Sequence, residues 1–91
     1  MSNIIEGIRE IISEICDIDT SEIETKSNMI SDLGIDSLDF LDISFAIEKK
    51  FGVKLPVDDW VEKVDAGEAT LDDYFVVQSI ADFIASNQVT A

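Results

Sequence analysis

Ser37 stands between acids in Asp36-Ser37-Leu38-Asp39, at what reads as a helix start, and it raises three chemical readings: nucleophile, attachment point or helix cap. As a nucleophile its hydroxyl would need a base, most often histidine, and the chain has none. The local sequence is not a Gly-x-Ser-x-Gly elbow either. Cys16, the single cysteine, lacks the same partner. Paired carboxylates can do acid–base work, but the acids here lie in polar, solvated stretches. No catalytic residue is therefore assigned. Asp17, Asp19 and Ser21 begin like a calcium loop, yet the sixth position is Glu22 rather than glycine and the twelfth is Asn28 rather than glutamate. No specific metal site is expected, and diffuse, weak calcium or magnesium binding to the acidic clusters stays open.

Attachment fits the position better than catalysis does. A hydroxyl in the first turn of a helix lies beside unpaired backbone N–H groups and the positive end of the helix dipole. A phosphodiester there gains about 0.3–1 kcal/mol at an exposed site. On position alone an ordinary cap-region serine is the better reading, and attachment stands beside it as the alternative.

The elements that must position Ser37 are helical. Isoleucines at 4, 5, 8, 11, 12 and 15 form one broad apolar face of a first helix, with Asn3 and Glu6 as a capping pair. A long loop rich in Asp, Ser and Thr follows to about Asp36, pinned by Ile18, Ile23, Met29 and Ile30. A second helix is predicted from Ser37 to about Phe51, with Asp36 as N-cap, Asp39 at the third helical position and Gly52 as the stop. A short helix is expected in "VDDWVEKV" behind Pro56. A last one is expected from Leu71 to about Ala85, opened by a Thr70/Asp73 capping box and burying Phe75, Val76, Ile80, Phe83 and Ile84. No segment alternates as a strand would. The fold class is all-α: a small bundle of three main helices, one short additional helix and a long first loop. Residues 1–91 form a single domain, ordered over about 3–85, with 86–91 as a frayed tail.

Bulk properties narrow the partners. Twenty acidic residues against six basic ones give a net charge of −14, which excludes nucleic acid and anionic membrane surfaces and favours basic protein surfaces. One cysteine cannot form an internal disulfide, and its place on the apolar stripe predicts a buried thiol. No basic region followed by an apolar run suggests a signal peptide, and no apolar run is long enough to span a membrane. A soluble cytoplasmic protein, acting as a monomer, is expected.

The predicted second helix carries two apolar stripes. Phe40, Ile43, Ile47 and Phe51 follow at three, four and four residues, as a core face does. Leu38, Leu41 and Phe45 form the second, flanked by Asp39, Asp42 and Glu48. That second stripe is either a docking face for cationic partners or the other side of a crowded core.

The run "DLGIDSLDFLDISFAIEKKFGVKLP" resembles the acyl carrier proteins of type II fatty acid synthesis, and the likeness extends over nearly the whole chain to "VVQSIADFI". The Asp-Ser-Leu motif alone is weak evidence; joined to Asp32-Leu33-Gly34, the helix pattern, the length and the acidity, it is specific. The resemblance implies a covalent carrier rather than an enzyme, with 4′-phosphopantetheine attached to Ser37 by a phosphopantetheinyl transferase and Asp36 and Leu38 completing the motif. It implies docking of synthase enzymes (ketosynthases, reductases, a dehydratase) through Leu38, Asp39, Leu41, Asp42, Phe45 and Glu48, and a core lined by Phe40, Ile43 and Ile47 that shelters acyl chains.

Three departures from the housekeeping pattern stand out: basic Lys49 and Lys50 at the lower end of the second helix, a bulky Phe40, and a longer region from Pro56 to Val77. That last region, with Trp60, Gly67 and "YFV", resembles the specialised α-proteobacterial carriers of very-long-chain hydroxy fatty acids for lipid A, which implies a lipid A acyltransferase among the partners. Trp60, Tyr74 and Phe75 are expected either to frame a groove for part of a very long chain or simply to fill the core. Carriage of polyketide or aminoacyl chains, and an unmodified acidic adaptor in which Ser37 only caps, are the competing functions.

Overall fold

Three pairs of isoleucines, spaced four residues apart on three helices, hold the molecule together. Ile8 and Ile12, Ile43 and Ile47, and Ile80 and Ile84 are all at 0% exposure in the computed structural model, which describes residues 3–88. Their spacing puts each pair on one helix face, where burying a side chain of this kind contributes about 1.5–3 kcal/mol. The helices are α1 (Asn3–Cys16), α2 (Ser37–Phe51), α3 (Val57–Asp65), α4 (Leu71–Tyr74) and α5 (Val77–Asn87), with a 3-10 turn at Thr20–Glu22 in the first loop. The described residues contain no strand, and a single isolated bridge joins Asn28 to Val76. The all-α class stands.

α1 packs on both α2 and α5. At its contact with α2 the Phe51 side chain packs directly on Gly7: a Cβ there would lie 2.6 Å from Phe51 Cζ, so only glycine fits without displacing the ring. The side chain of Asn3 lies outside the described residues, and with it the expected Asn3–Glu6 cap. The Glu6 carboxylate instead accepts from Arg9 at 3.2 Å. Arg9 also donates through Nε to the Ile23 carbonyl at 2.9 Å, tying the first loop to α1. Ile23 and Met29 are buried and Ile18 and Ile30 half-buried, so all four residues expected to pin the loop do so.

The last helix requires correction. A continuous helix from Leu71 to about Ala85 is expected from its capping box and apolar spacing, and the box is present, with the Thr70 N–H donating to Asp73 at 2.8 Å. The helix nevertheless breaks after Tyr74 and restarts at Val77. The first loop causes the break. Met29 N–H donates to the Phe75 carbonyl at 2.8 Å, and the N–H groups of Val77 and Gln78 donate to Ser27 and Thr25, each at 3.0 Å. Backbone pairing with a segment some fifty residues earlier replaces one helical turn. Phe75 and half-buried Val76 thus lie in the break rather than on a helix. α5 runs on to Asn87, two residues past the expected end, and Gln88 donates to the Phe51 carbonyl at 3.4 Å. Residues 89–91 of the expected frayed tail lie outside the described ones.

Asn28 organises the junction. It is 1% exposed; its amide nitrogen donates to Asp72 at 2.7 Å, and its carbonyl oxygen accepts from the N–H groups of Ile30 and Ser31 at 2.9 and 3.0 Å. Its own backbone N–H donates to the Asp32 carboxylate at 2.7 Å. These bonds satisfy the buried amide and fold the loop back towards α2.

Candidate functional site

Ser37 is the first residue of α2 and is exposed. The helix starts there because Asp36, in extended conformation, accepts the Asp39 N–H on its carboxylate at 2.9 Å. Gly52 ends it with φ 74, a left-handed conformation that suits glycine. The expected limits of α2 and both caps agree with the structure. Its first turn presents Ser37 to solvent at the positive end of a 15-residue helix.

The second stripe of α2 faces outward. Leu38 is 74% exposed, Phe45 64% and Leu41 37%, so these residues are not the other side of a crowded core. Asp42 and Glu48 are exposed beside them and Asp39 is half-buried. The two ion pairs among the described residues, Arg9–Glu6 and Lys63–Asp59, involve none of these acids. Lys49 and Lys50 occupy the last turn, where positive charge complements the helix dipole. The face is apolar, exposed and framed by uncompensated negative charge.

A cleft of about 640 Å³ opens beside Ser37, between α2, α3 and α4. Its walls are Ile30, Ile35, Phe40, Leu41, Val57, Val61, Val64, Leu71 and Phe75, and its edges carry Asp36, Ser37, Asp58, Glu62 and Asp65. Of the residues expected around an acyl chain, Phe40 and Phe75 line this cleft. Ile43 and Ile47 sit fully buried in the core. Trp60 and Tyr74 do not line it: their rings stack at 5.1 Å, and with Phe83 they border a separate shallow depression of about 360 Å³. Sequence reasoning missed Val57, Val61 and Val64, whose spacing of four and three along α3 was the available signal.

Cys16 is half-buried rather than buried. Burial first, then the negative charges of Asp39, Asp36 and Asp42, push its thiol above the ordinary cysteine value. The acids around Ser37 therefore also act on the end of α1. No group of three or more His, Cys, Asp or Glu among the described residues could hold a metal ion, and no described helix is long and apolar enough to cross a membrane.

Comparison with known proteins agrees with this geometry. Residues 6–85 match the family model described as "Phosphopantetheine attachment site". The acyl carrier protein AcpXL of Mesorhizobium japonicum is 48% identical over 80 residues, covering 88% of this chain and 86% of the relative. AcpXL of Brucella melitensis is 45% identical over the same shares, and AcpXL of Rhizobium meliloti is 47% identical over 82% of this chain and 79% of its own. With a serine presented at a helix start and relatives of this closeness, the chain belongs to the acyl carrier proteins, which are carriers rather than catalysts and whose cofactor is covalently bound 4′-phosphopantetheine.

Proposed function

We propose that Ser37 bears the phosphopantetheine arm and that the chain carries very-long-chain hydroxy fatty acids, through synthesis and onward to a lipid A acyltransferase, in the reducing cytoplasm. The observation that carries the reading is the exposed Ser37 hydroxyl at the start of α2, opening onto an apolar cleft of about 640 Å³. The residues fit the group: Asp36 holds the helix start rigid by capping Asp39, the free end of the helix dipole favours a phosphodiester, and the cleft leaves room for an arm. Attachment forms a P–O bond from the Ser37 hydroxyl to the phosphopantetheinyl phosphate of coenzyme A. The nucleotide leaves, and the hydroxyl proton passes to a base of the transferase, since this chain has no histidine. The bound arm supplies the thiol that holds cargo as a thioester, so Cys16 has no part in it.

Each remaining residue has a physical task. Leu38, Leu41 and Phe45 bury apolar area against a partner enzyme, while Asp39, Asp42 and Glu48 attract its basic residues and speed encounter. Tethering raises the effective concentration of cargo at each active site. Phosphopantetheinyl transferase, ketosynthases, reductases and a dehydratase are the partners this surface addresses. The AcpXL name of the relatives and the long Pro56–Val77 region support the specialised cargo.

The test is an intact mass after incubation with coenzyme A and a broad-specificity phosphopantetheinyl transferase. One phosphopantetheine adduct is expected on the parent and none on Ser37→Ala. No adduct on either would leave an unmodified acidic adaptor as the better reading; an adduct that accepts only polyketide or aminoacyl cargo would overturn the lipid role alone.

A further inference from the structure

We propose that the depression beside Trp60 is a second docking point: it takes an arginine side chain of a partner protein and holds the carrier from the α3–α5 side, leaving Ser37 and the outer face of α2 free. This goes beyond the carrier function and does not depend on Ser37 being modified.

The depression, of about 360 Å³, has an aromatic wall and an acidic rim. Trp60 and Tyr74 lie parallel with ring centroids 5.1 Å apart, and Phe83 meets Trp60 edge-on at 5.4 Å. Tyr74 and Phe83 are half-buried, so each still offers ring surface. Asp73 and Asp82 are exposed at the rim. Each uses one carboxylate oxygen within the chain: Asp73 accepts the Thr70 N–H at 2.8 Å, and Asp82 accepts from Gln78 Nε2 at 2.9 Å. Neither is paired with a cation among the described residues, since Lys63 is held by Asp59 at 3.3 Å and Arg9 by Glu6. Trp60 supplies an independent sign of a missing partner. It is 4% exposed, and no described group accepts its indole N–H. Every fully buried side-chain nitrogen or oxygen among the described residues has a hydrogen-bond partner, so this N–H is an accessible donor, and Trp60 borders the depression.

These groups are complementary to a guanidinium on a peptide. Its planar face stacks on aromatic rings, and its fork of N–H donors suits the free carboxylate oxygens of Asp73 and Asp82. A peptide carbonyl beside the arginine accepts the indole N–H. A lysine ammonium would meet the acids without the stacking, and an anionic group would be repelled by them. The net charge of −14 draws basic protein surfaces to the molecule in the first place. No residue bordering the depression borders the cleft or belongs to α2. A protein seated here need cover neither Ser37 nor Leu38 and Phe45, so one protein can hold the carrier while another works on its cargo.

The experiment titrates the full, unmodified chain with the blocked tripeptide acetyl-Gly-Arg-Gly-amide at low salt and follows 1H–15N spectra. Saturable shifts are expected at the Trp60 indole N–H and at the amides of Tyr74, Ser79 and Phe83, larger than those at Leu38, Asp39 and Asp42. The corresponding lysine tripeptide should shift the same signals several-fold less. Asp82→Lys, a surface change on α5 away from Ser37, should lose most of the arginine response. Should that variant not fold, Asp82→Asn replaces it under the same criterion. Absence of a saturable shift at the indole, shifts concentrated on the acids of α2, an equal response to the lysine tripeptide, or an undiminished response in folded Asp82→Lys would overturn the arginine site. Transferase loading, read by mass, should proceed at the same rate with the depression saturated by peptide; slowed loading would overturn the claim that Ser37 stays free. Failure of the parent to load without peptide is a separate result and counts against Ser37 attachment alone.

Discussion

The outer face of α2 and the junction around Asn28 dispose of their side chains in opposite ways. On α2, Leu38 and Phe45 remain 74% and 64% exposed, and Asp39, Asp42 and Glu48 have no ion-pair partner among the described residues. At the junction, the Asn28 amide and backbone N–H are satisfied internally by Asp72, Asp32 and two loop N–H groups. A surface that leaves apolar and charged groups unmatched depends on another molecule to match them. A junction that matches all of its own fixes geometry instead, here the position of Phe75 and one wall of the cleft. The first region should be energetically idle in the isolated protein, and the second should carry stability while touching no partner.

Substitutions can break that contrast. Asn28→Ala should have the largest effect on the fold, lowering stability by about 1–3 kcal/mol because it removes the acceptor of two loop N–H groups and the tie to Asp72, as read by urea or thermal unfolding. Transferase loading of the fraction still folded should be unchanged. Phe45→Ala should do the reverse. Its unfolding midpoint should stay within about 0.5 kcal/mol of the parent's, while KM for a ketosynthase acting on the loaded carrier rises roughly tenfold, about 1.4 kcal/mol. If both variants lost stability alike, the division would be wrong.

Smaller effects sharpen it. Asp36→Ala removes a side-chain cap at the very start of α2 and should cost about 1 kcal/mol in denaturant unfolding. Cys16 should show the least. With its thiol raised by burial and then by Asp39, Asp36 and Asp42, the stability tied to the protonated form is complete below the ordinary cysteine value. It is lost as pH rises through the higher folded-state value. Alkylation at mildly alkaline pH should therefore be slower in the folded chain than in urea, and Asp39→Asn should speed it modestly, measured by mass.

What could be read from the sequence was what local interactions decide. Asp36 and Gly52 set the ends of α2 because caps act within a few residues, and the two stripes of α2 were visible as spacing. The first reads as the core face; whether the second was also buried was not decided, since Leu38, Leu41 and Phe45 are as apolar as core residues. The interruption at Phe75–Val76 was hidden for a different reason. Thr70 and Asp73 announce a helix, the apolar spacing continues it, and the competing partner is a loop near Asn28 far away in the chain. Tertiary pairing outweighs local preference there. The cleft was half legible: the resemblance points to Phe40 and the aromatics of the Pro56–Val77 region to Phe75, while Val57, Val61 and Val64 read only as apolar positions of an ordinary short helix.

The aromatic stack behind the cleft has an optical consequence. Trp60, the single tryptophan, is 4% exposed, lies parallel to Tyr74 and meets Phe75 and Phe83 edge-on. It borders the second depression and not the cleft, yet one of its neighbours is the cleft's own wall. The molecule therefore contains a native fluorophore one ring removed from the cleft beside Ser37, placed to report a change in the packing of that wall without any added label.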